Sequence, residues 1–552
     1  MNPSQMFRKA RLHSSLFLHV CYLPKIQKMQ SSAVPLWKAM EDGSELPIEE
    51  VDLYQYERSE DPEKLAMRCR KFNLQALLDR SIKATGNDGA KCIKLLKCVE
   101  GQFNKAFLLT LSNGCEIVAR LPNPNAGPAF STTASEVATR HSLREIIGIP
   151  IPRVYEWSAD AANAVGAEYI IEEKATGQPL GRVWGNLSMA TQLEIVNQIV
   201  DVEKKLASVS LRKHGCIYYE SDLKSRSLIY EALNSIVESG SVSTTGLNDQ
   251  LSSFVIGPSA NPKFWEGERA TKKLDRGPWN SIADYATAVG KNELEWAASH
   301  AKPRMNFHRS SEHPETPDDY ISLLTRYMEL IHHASALVCE QPNRISHPDL
   351  HLDNIFVDPE TNRITCIIDW QLASASPPSL QRSYPPMLEI SAKAETSERA
   401  HEETLLDFYY NAIKKADPLR RKILSDPTLT ILTDLVSLVP GCWDREDLFS
   451  LRNALIVAVA RWDEINHGGG PCPVHFTEEE LLQHQNEMEL IEGISTIMHQ
   501  LQDEGLIPLG GMVRQEYYER AQELNTHFHR EFVGLATNKH ERELHAKVWP
   551  YQ

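Results

Sequence analysis

The sequence predicts an α+β chain of two lobes, a small β-rich N-lobe followed by a large, mainly helical C-lobe. Three observations predict it. Apolar runs separated by turn residues crowd positions 98–121. Stretches at 193–206, 227–237, 320–337, 403–416 and 448–465 carry apolar residues at three- and four-residue spacing, as amphipathic helices require. Between the third and fourth of these, residues 355–368 read as a single β-hairpin.

In chain order, residues 98–111 read as strand, short loop and strand, with Gly101 and Asn104 in or beside the loop. Asn113 and Gly114 form a hairpin turn, and 116–121 is a third strand carrying Arg120. A helix is expected to begin near Thr132, where hydroxyls at 132, 133 and 135 suit an N-cap, and to run through Glu136 to Ile146. After Pro150 and Pro152, residues 167–171 are a buried strand, and 172–177, including Glu172 and Lys174, are the linker between lobes. Residues 238–280 and 374–386 read as loops that can shape a substrate mouth. The end of the chain, in particular 481–494 and 516–532, reads as helices that pack on the C-lobe or are open to a protein partner. The resulting divisions are 1–50 leader and linker, 51–172 N-lobe, 173–475 C-lobe and 476–552 helical extension.

The chemistry concentrates around the hairpin. Asp349 and Asn354 precede the apolar run at 355–357, and Asp369 follows the run at 364–368, with a turn over 358–362 between them. Such a hairpin brings Asp369 back beside Asn354. That suits phosphoryl transfer, in which the protein positions a hydroxyl and holds Mg²⁺ against phosphates. Asp349 would take the hydroxyl proton, while Asn354 and Asp369 offer the oxygen ligands that Mg²⁺ prefers. A rival reading makes His347, Asp349 and His351 the ligands of a hydrolase metal, but it leaves Asn354 and Asp369 without a role.

The spacing His347-x-Asp349, then Asn354, then Asp369-Trp370 resembles the catalytic loop and metal-binding segment of the protein-kinase-like fold, with Trp where kinases have Phe. His347-Pro348-Asp349-Leu350-His351 and Ile368-Asp369-Trp370 are closest to the aminoglycoside-phosphotransferase and choline-kinase-like branch. Within it, the stretches at 100–105, 120–122, 134–139 and 368–371 resemble the fungal mitochondrial group around altered inheritance of mitochondria protein nine. The resemblance implies a bilobal protein-kinase-like fold, ATP and Mg²⁺ as cofactors, and mitochondrial residence. It implies that Arg120 steadies phosphates, that Glu136 pairs with Arg120, that the linker backbone holds adenine, and that His347 steadies the catalytic loop. Two departures bear on catalysis: the loop has only Gly101, and Arg120 stands where most kinases have Lys.

The function expected is therefore transfer of a phosphoryl group from ATP to a hydroxyl of a small molecule. The alternatives are a catalytically weak or inactive pseudokinase acting as a nucleotide-binding scaffold, and an AMP transferase.

Composition fits this reading. With 74 acidic against 58 basic residues the chain is a poor partner for nucleic acid, and no apolar run is long enough for a membrane helix. The first forty residues hold six Lys and Arg, several serines and no acid, the pattern of a mitochondrial transit peptide. A weak secretory signal, or a working start at Met29, would also fit them. Ten cysteines occur singly, without a Cys-x-x-Cys pair, and Cys98, Cys115 and Cys366 are expected to be buried thiols.

Overall fold

The structure, a computed structural model, describes residues 27–29, 34–38, 69–86, 89–98, 101, 103–233, 251–310, 312–334, 337, 340–390, 396–467, 469–503, 512–514, 518–534, 536 and 538–549. Most of the expected leader, the loop residues 99, 100 and 102, and 234–250 lie outside that set. The chain divides into two compact units, and every expected site residue falls in the one made of Ser32–Tyr285 and Glu340–Asp426.

That unit opens with an antiparallel sheet of six strands: β1 (Val34–Lys38), β2 (Cys92–Lys97), β3 (Asn104–Leu111), β4 (Glu116–Pro122), β5 (Val154–Ser158) and β6 (Tyr169–Glu173). Its order is β1-β2-β3-β4-β6-β5. Side chains alternate across a strand, so Ile117, Ala119 and Leu121 of β4 enter one core with Leu95, Phe107, Leu109, Tyr169 and Ile171. Helix α1 (Leu74–Ala84) covers that face through Leu77. Burying a side chain such as Phe107 or Leu109 in this way stabilises by about 2 kcal/mol. The same alternation puts Arg120 on the opposite face. Glu172 joins it there, because β6 pairs Glu172 with Val118.

Helix α2 (Ser131–His141) packs on that second face, and its residues 131–140 are all buried. It does not start on a hydroxyl cap as expected. The cap position is Phe130, at φ 68°, with no side-chain capping bond of its own. The first-turn N–H groups of Ser131 and Thr132 go instead to the Ala129 and Pro128 carbonyls at 2.9 and 3.1 Å, while Glu168 takes Phe130 N–H at 3.0 Å and the Thr133 hydroxyl at 2.6 Å. A small antiparallel sheet closes over the far side of α2. Its strands β7 (Cys216–Tyr219) and β8 (Phe254–Gly257) share a cluster with Ala134 through Cys216, Tyr218 and Val255. Residues 227–233, expected as the start of a helix, instead bring Glu231–Ala232 alongside β8. Cross-strand pairing there overrides the helical spacing of the apolar residues.

Beyond β6 the backbone passes Gly177, at φ 90°, and enters the helical lobe with α3 (Met189–Ala207). The hairpin forms as expected, with β9 (Ile355–Val357) pairing β10 (Ile364–Ile367). Asp358 organises its turn by accepting Thr361 N–H at 2.8 Å and Glu360 N–H at 3.1 Å. Ile355, Val357 and Ile367 root the hairpin in a core with Leu350 and Trp370. Helix Thr396–Ala416 completes this part of the unit against α3, where Val196, Val200, Leu405 and Tyr409 interlock. Together these elements make a bilobal α+β fold, a sheet lobe followed by a mainly helical one.

The other unit is mainly helical, with one parallel pairing of Gln27–Met29 and Met512–Arg514. Pro317–His333, Leu448–Ala460 and Tyr518–Gly534 match three expected helices to within a turn or two, Glu478–Asp503 contains the fourth and runs nine residues past its expected end, and Pro427–Leu438 joins them. Glu487, fully buried there, pairs with Arg452 at 2.8 Å and Arg309 at 3.1 Å. Among the described residues no helix is long and apolar enough to cross a membrane. Of the three thiols expected in the core, Cys366 is buried, whereas Cys98 and Cys115 are only partly so. Cys98 lies past the end of β2, and Cys115 sits in the turn before β4, where the strand alternation no longer applies.

Candidate active site

The hairpin does the positioning. Asn354 ends the chain segment before β9 and Asp369 follows β10, and Ile368 N–H donates to the Asn354 carbonyl at 3.0 Å. Asn354 is buried, and its Nδ2 donates to the Asp349 carbonyl at 2.9 Å, which orients its amide oxygen and fixes the loop carrying Asp349. The Asp349 carboxylate itself is 57% exposed, with His351 Nε2 3.8 Å away. Asp369 sits at φ 63°, a left-handed conformation that Asp tolerates better than most residues. Non-glycine residues held there cluster at functional sites.

His347 supports the loop from below. Its Nδ1 accepts Asp349 N–H at 3.1 Å, so the proton sits on Nε2, which donates to the Ile368 carbonyl at 2.8 Å. The imidazole meets Trp370 edge-on at 4.6 Å. Burial pushes its pKa down to about 4, which keeps the ring neutral. Both ring nitrogens are therefore engaged with the backbone, and His347 is not placed as a metal ligand. Among the described residues no group of three or more His, Cys, Asp or Glu is arranged to hold a metal ion. The hydrolase alternative therefore lacks His347 as one of its three ligands.

Arg120 reaches across from β4. Its Nη2 pairs with Glu136 Oε1 of α2, Nε lies 3.7 Å from Glu172 Oε1, and Nη1 lies 3.9 Å from Asp369 Oδ1. Burial pulls the guanidinium pKa down, but the facing carboxylates of Glu136, Glu172 and Asp369 outweigh it, and the net shift is upward. Arg140 joins the group through Glu136 and Glu172 and donates from Nη2 to the Pro152 carbonyl at 3.1 Å. Nothing in the sequence analysis marked Arg140. Its signal was its position four residues after Glu136 on one helix, which puts both on the same face.

The remaining expected residues fall as follows. Glu172 is inside β6 rather than in the linker, because the strand runs two residues further than its apolar run. Lys174 does lie in the linker and pairs with Glu116 at 2.5 Å, both half-exposed, a contact worth under about 1 kcal/mol. Asn104 opens β3, and its Nδ2 donates to Gln371 Oε1 at 2.6 Å. Gln371 in turn donates to the Ala126 carbonyl at 2.8 Å. Asn104 thus ties the small lobe to the segment just after Asp369. Among the described residues, a Cβ at Gly101 would meet nothing within 4 Å.

One match defines the class of protein to which this fold and site belong. The phosphotransferase enzyme family matches residues 95–380, a span that contains every residue of the site, and the chain is a member of that family. Among particular relatives, a subtelomeric hrmA-associated cluster protein of Aspergillus fumigatus is 30% identical over 516 residues, covering 84% of this chain and 97% of its own. The mitochondrial altered inheritance of mitochondria protein 9 of Scheffersomyces stipitis is 23% identical over 518 residues, covering 82% and 76%. Proteins of that name from several other yeasts match as well, in agreement with the expected family group and its mitochondrial residence. The solved structure of a putative aminoglycoside phosphotransferase from Ralstonia eutropha overlaps 82% of this chain and 99% of its own, at 13% identity and a TM-score of 0.38, too loose a fit to argue from.

Proposed function

We propose that this protein is an ATP-dependent phosphotransferase of the aminoglycoside-kinase-like type that phosphorylates a hydroxyl of a small molecule in mitochondria. The observation that carries the proposal is the convergence of Asn354, Asp369 and Arg120 at the end of one hairpin, with Asp349 on the loop tied to it.

Each residue has a chemically suited part. The exposed Asp349 carboxylate accepts the proton of the acceptor hydroxyl as the oxygen attacks phosphorus. The Asn354 amide oxygen and the Asp369 carboxylate suit Mg²⁺, which takes few protein ligands and completes its octahedron with water and phosphate oxygens. That donor set fits the ion without a larger cage, and the ion when bound supplies charge neutralisation on the phosphates. Arg120 donates to phosphate oxygens, held at the right depth by Glu136. The backbone after β6, from Lys174 to Gly177, is the place for the adenine. The basic, acid-free first forty residues support targeting to mitochondria.

One observation favours the scaffold reading instead. Arg120 is a planar fork already engaged with three carboxylates, not a mobile ammonium.

A product assay separates the readings. Purified protein with Mg-ATP is screened against hydroxyl-bearing small molecules for release of ADP or pyrophosphate, beside Asp349→Asn. ADP release with one acceptor class, falling at least about 100-fold in the variant, is the expected result. Pyrophosphate would mean AMP transfer. Neither product with any acceptor would favour the scaffold.

A further inference from the structure

Arg120 and Arg140 share two carboxylates. Glu136 Oε1 contacts Arg120 Nη2 and lies 3.4 Å from Arg140 Nη1. Glu172 lies 3.7 Å from Arg120 Nε through Oε1 and contacts Arg140 Nη1 through Oε2. The four groups form a closed square of alternating sign, two cations against two anions. None of these side chains is more than 11% exposed, so their mutual attraction is little weakened by water. Three elements supply the corners: β4 gives Arg120, α2 gives Glu136 and Arg140, and β6 gives Glu172.

The square uses two of the three nitrogens of the Arg120 guanidinium. The third, Nη1, is the one that faces Asp369. A guanidinium is rigid and planar, so fixing Nε and Nη2 fixes the direction of Nη1. A lysine ammonium at this position would have no such plane to fix. The square therefore gives a physical reason for arginine at 120: it is matched to a second carboxylate on the neighbouring strand.

We propose that Arg140 and Glu172 are positioning residues for the phosphates, closing a square that holds the Arg120 fork with Nη1 toward Asp369 and the nucleotide. The proposal rests on the reading of Arg120, Asn354 and Asp369 as a nucleotide site. Breaking one corner unbalances the rest. Without Glu172, Arg140 contests Glu136, the carboxylate that holds Arg120. Without Arg140, Glu172 draws Arg120 toward β6. Removing both together leaves Arg120 held by Glu136 at Nη2 with Nε released, the same loss of the fixed plane that one broken corner causes.

The test is a double-variant cycle on affinity for Mg-ATP, measured by calorimetry on the full chain for the unaltered protein, R140Q, E172Q and R140Q/E172Q. The melting temperature of each without nucleotide is recorded beside it. Each single variant is expected to bind about tenfold more weakly, and the double variant no more weakly than about tenfold, because both residues act through the same Arg120 fork. A purely structural pair would lower melting temperatures and leave affinity unchanged, and that result overturns the proposal. So does a double variant weakened by the product of the two single effects. In either case the nucleotide reading stands. If the unaltered protein binds no nucleotide, that reading fails and the proposal falls with it. If a single variant does not fold, R140K and E172D replace it, with weakening of about threefold expected and unchanged affinity overturning the proposal.

Discussion

His214 is buried between the rings of Trp279 and Tyr285, at 5.0 and 4.6 Å, and burial pushes its pKa down to about 3. In the unfolded chain it would take a proton near pH 6.5, whereas the folded protein keeps it neutral. Stability from this residue is therefore complete above about pH 6.5 and is lost as pH falls, by about 2 kcal/mol between pH 7 and pH 5. Urea midpoints for His214→Phe should fall less over that interval than those of the unaltered protein; an equal fall would mean that the buried ring is not the cause. Residues differ in how far the sequence reveals them. Asp349, Asn354 and Asp369 were legible because their spacing along a loop and hairpin is itself the motif. Arg140 and Glu168 were not, because each acts through a partner whose proximity depends on how a helix packs on a sheet. The role of Glu172 was obscured differently, since an acidic residue at the end of an apolar run reads as the start of a linker.

Among the elements, the linker after β6 is pinned to the hairpin at one glycine. A Cβ on Gly177 would sit 2.4 Å from the Val357 carbonyl oxygen and 2.8 Å from Thr365 Oγ1, and its φ of 90° is strained for any other residue. Thr365 of β10 also donates to the Thr176 carbonyl at 2.6 Å, and Gln178 pairs with Val357 of β9, so the linker is joined to the hairpin on both sides of the glycine. Gly177→Ala should cost more than about 2 kcal/mol, against about 1 kcal/mol for Gly148→Ala, which shares the positive φ but has nothing within 4 Å. Equal costs in chemical denaturation would show that the close approach is absent. The hairpin was readable in advance because its turn carries its own chemistry in Asp358 and Thr361. The segment at 227–233 was misread because strand pairing with Val255 and Ile256, more than twenty residues away, decides its conformation. The start of α2 was misread because the carbonyls of Pro128 and Ala129, not a local hydroxyl, take its first N–H groups, and a distant carboxylate holds Phe130 N–H.

At the scale of the whole molecule, the lobes of the site unit converge on one small region. β4 and α2 bring Arg120 and Glu136, β6 brings Glu172, and the hairpin brings Asn354 and Asp369, while Asn104 and Gln371 tie the small lobe to the segment after Asp369. The architecture was legible because the small lobe alternates at period two and the large one at three to four. The division into two compact units was not, since Ala286–Cys339 and Pro427–Gln552 join across an intervening stretch of the other unit. The central claim is that this convergence binds a metal–nucleotide complex. The most direct measurement is a thermal-shift titration of the full chain with ATP, with and without Mg²⁺, beside Asp369→Asn, which tolerates φ 63° but removes the charge. A rise in melting temperature that requires Mg²⁺ and disappears in the variant is the expected result. No rise with any nucleotide, or an undiminished rise in Asp369→Asn, would contradict the account.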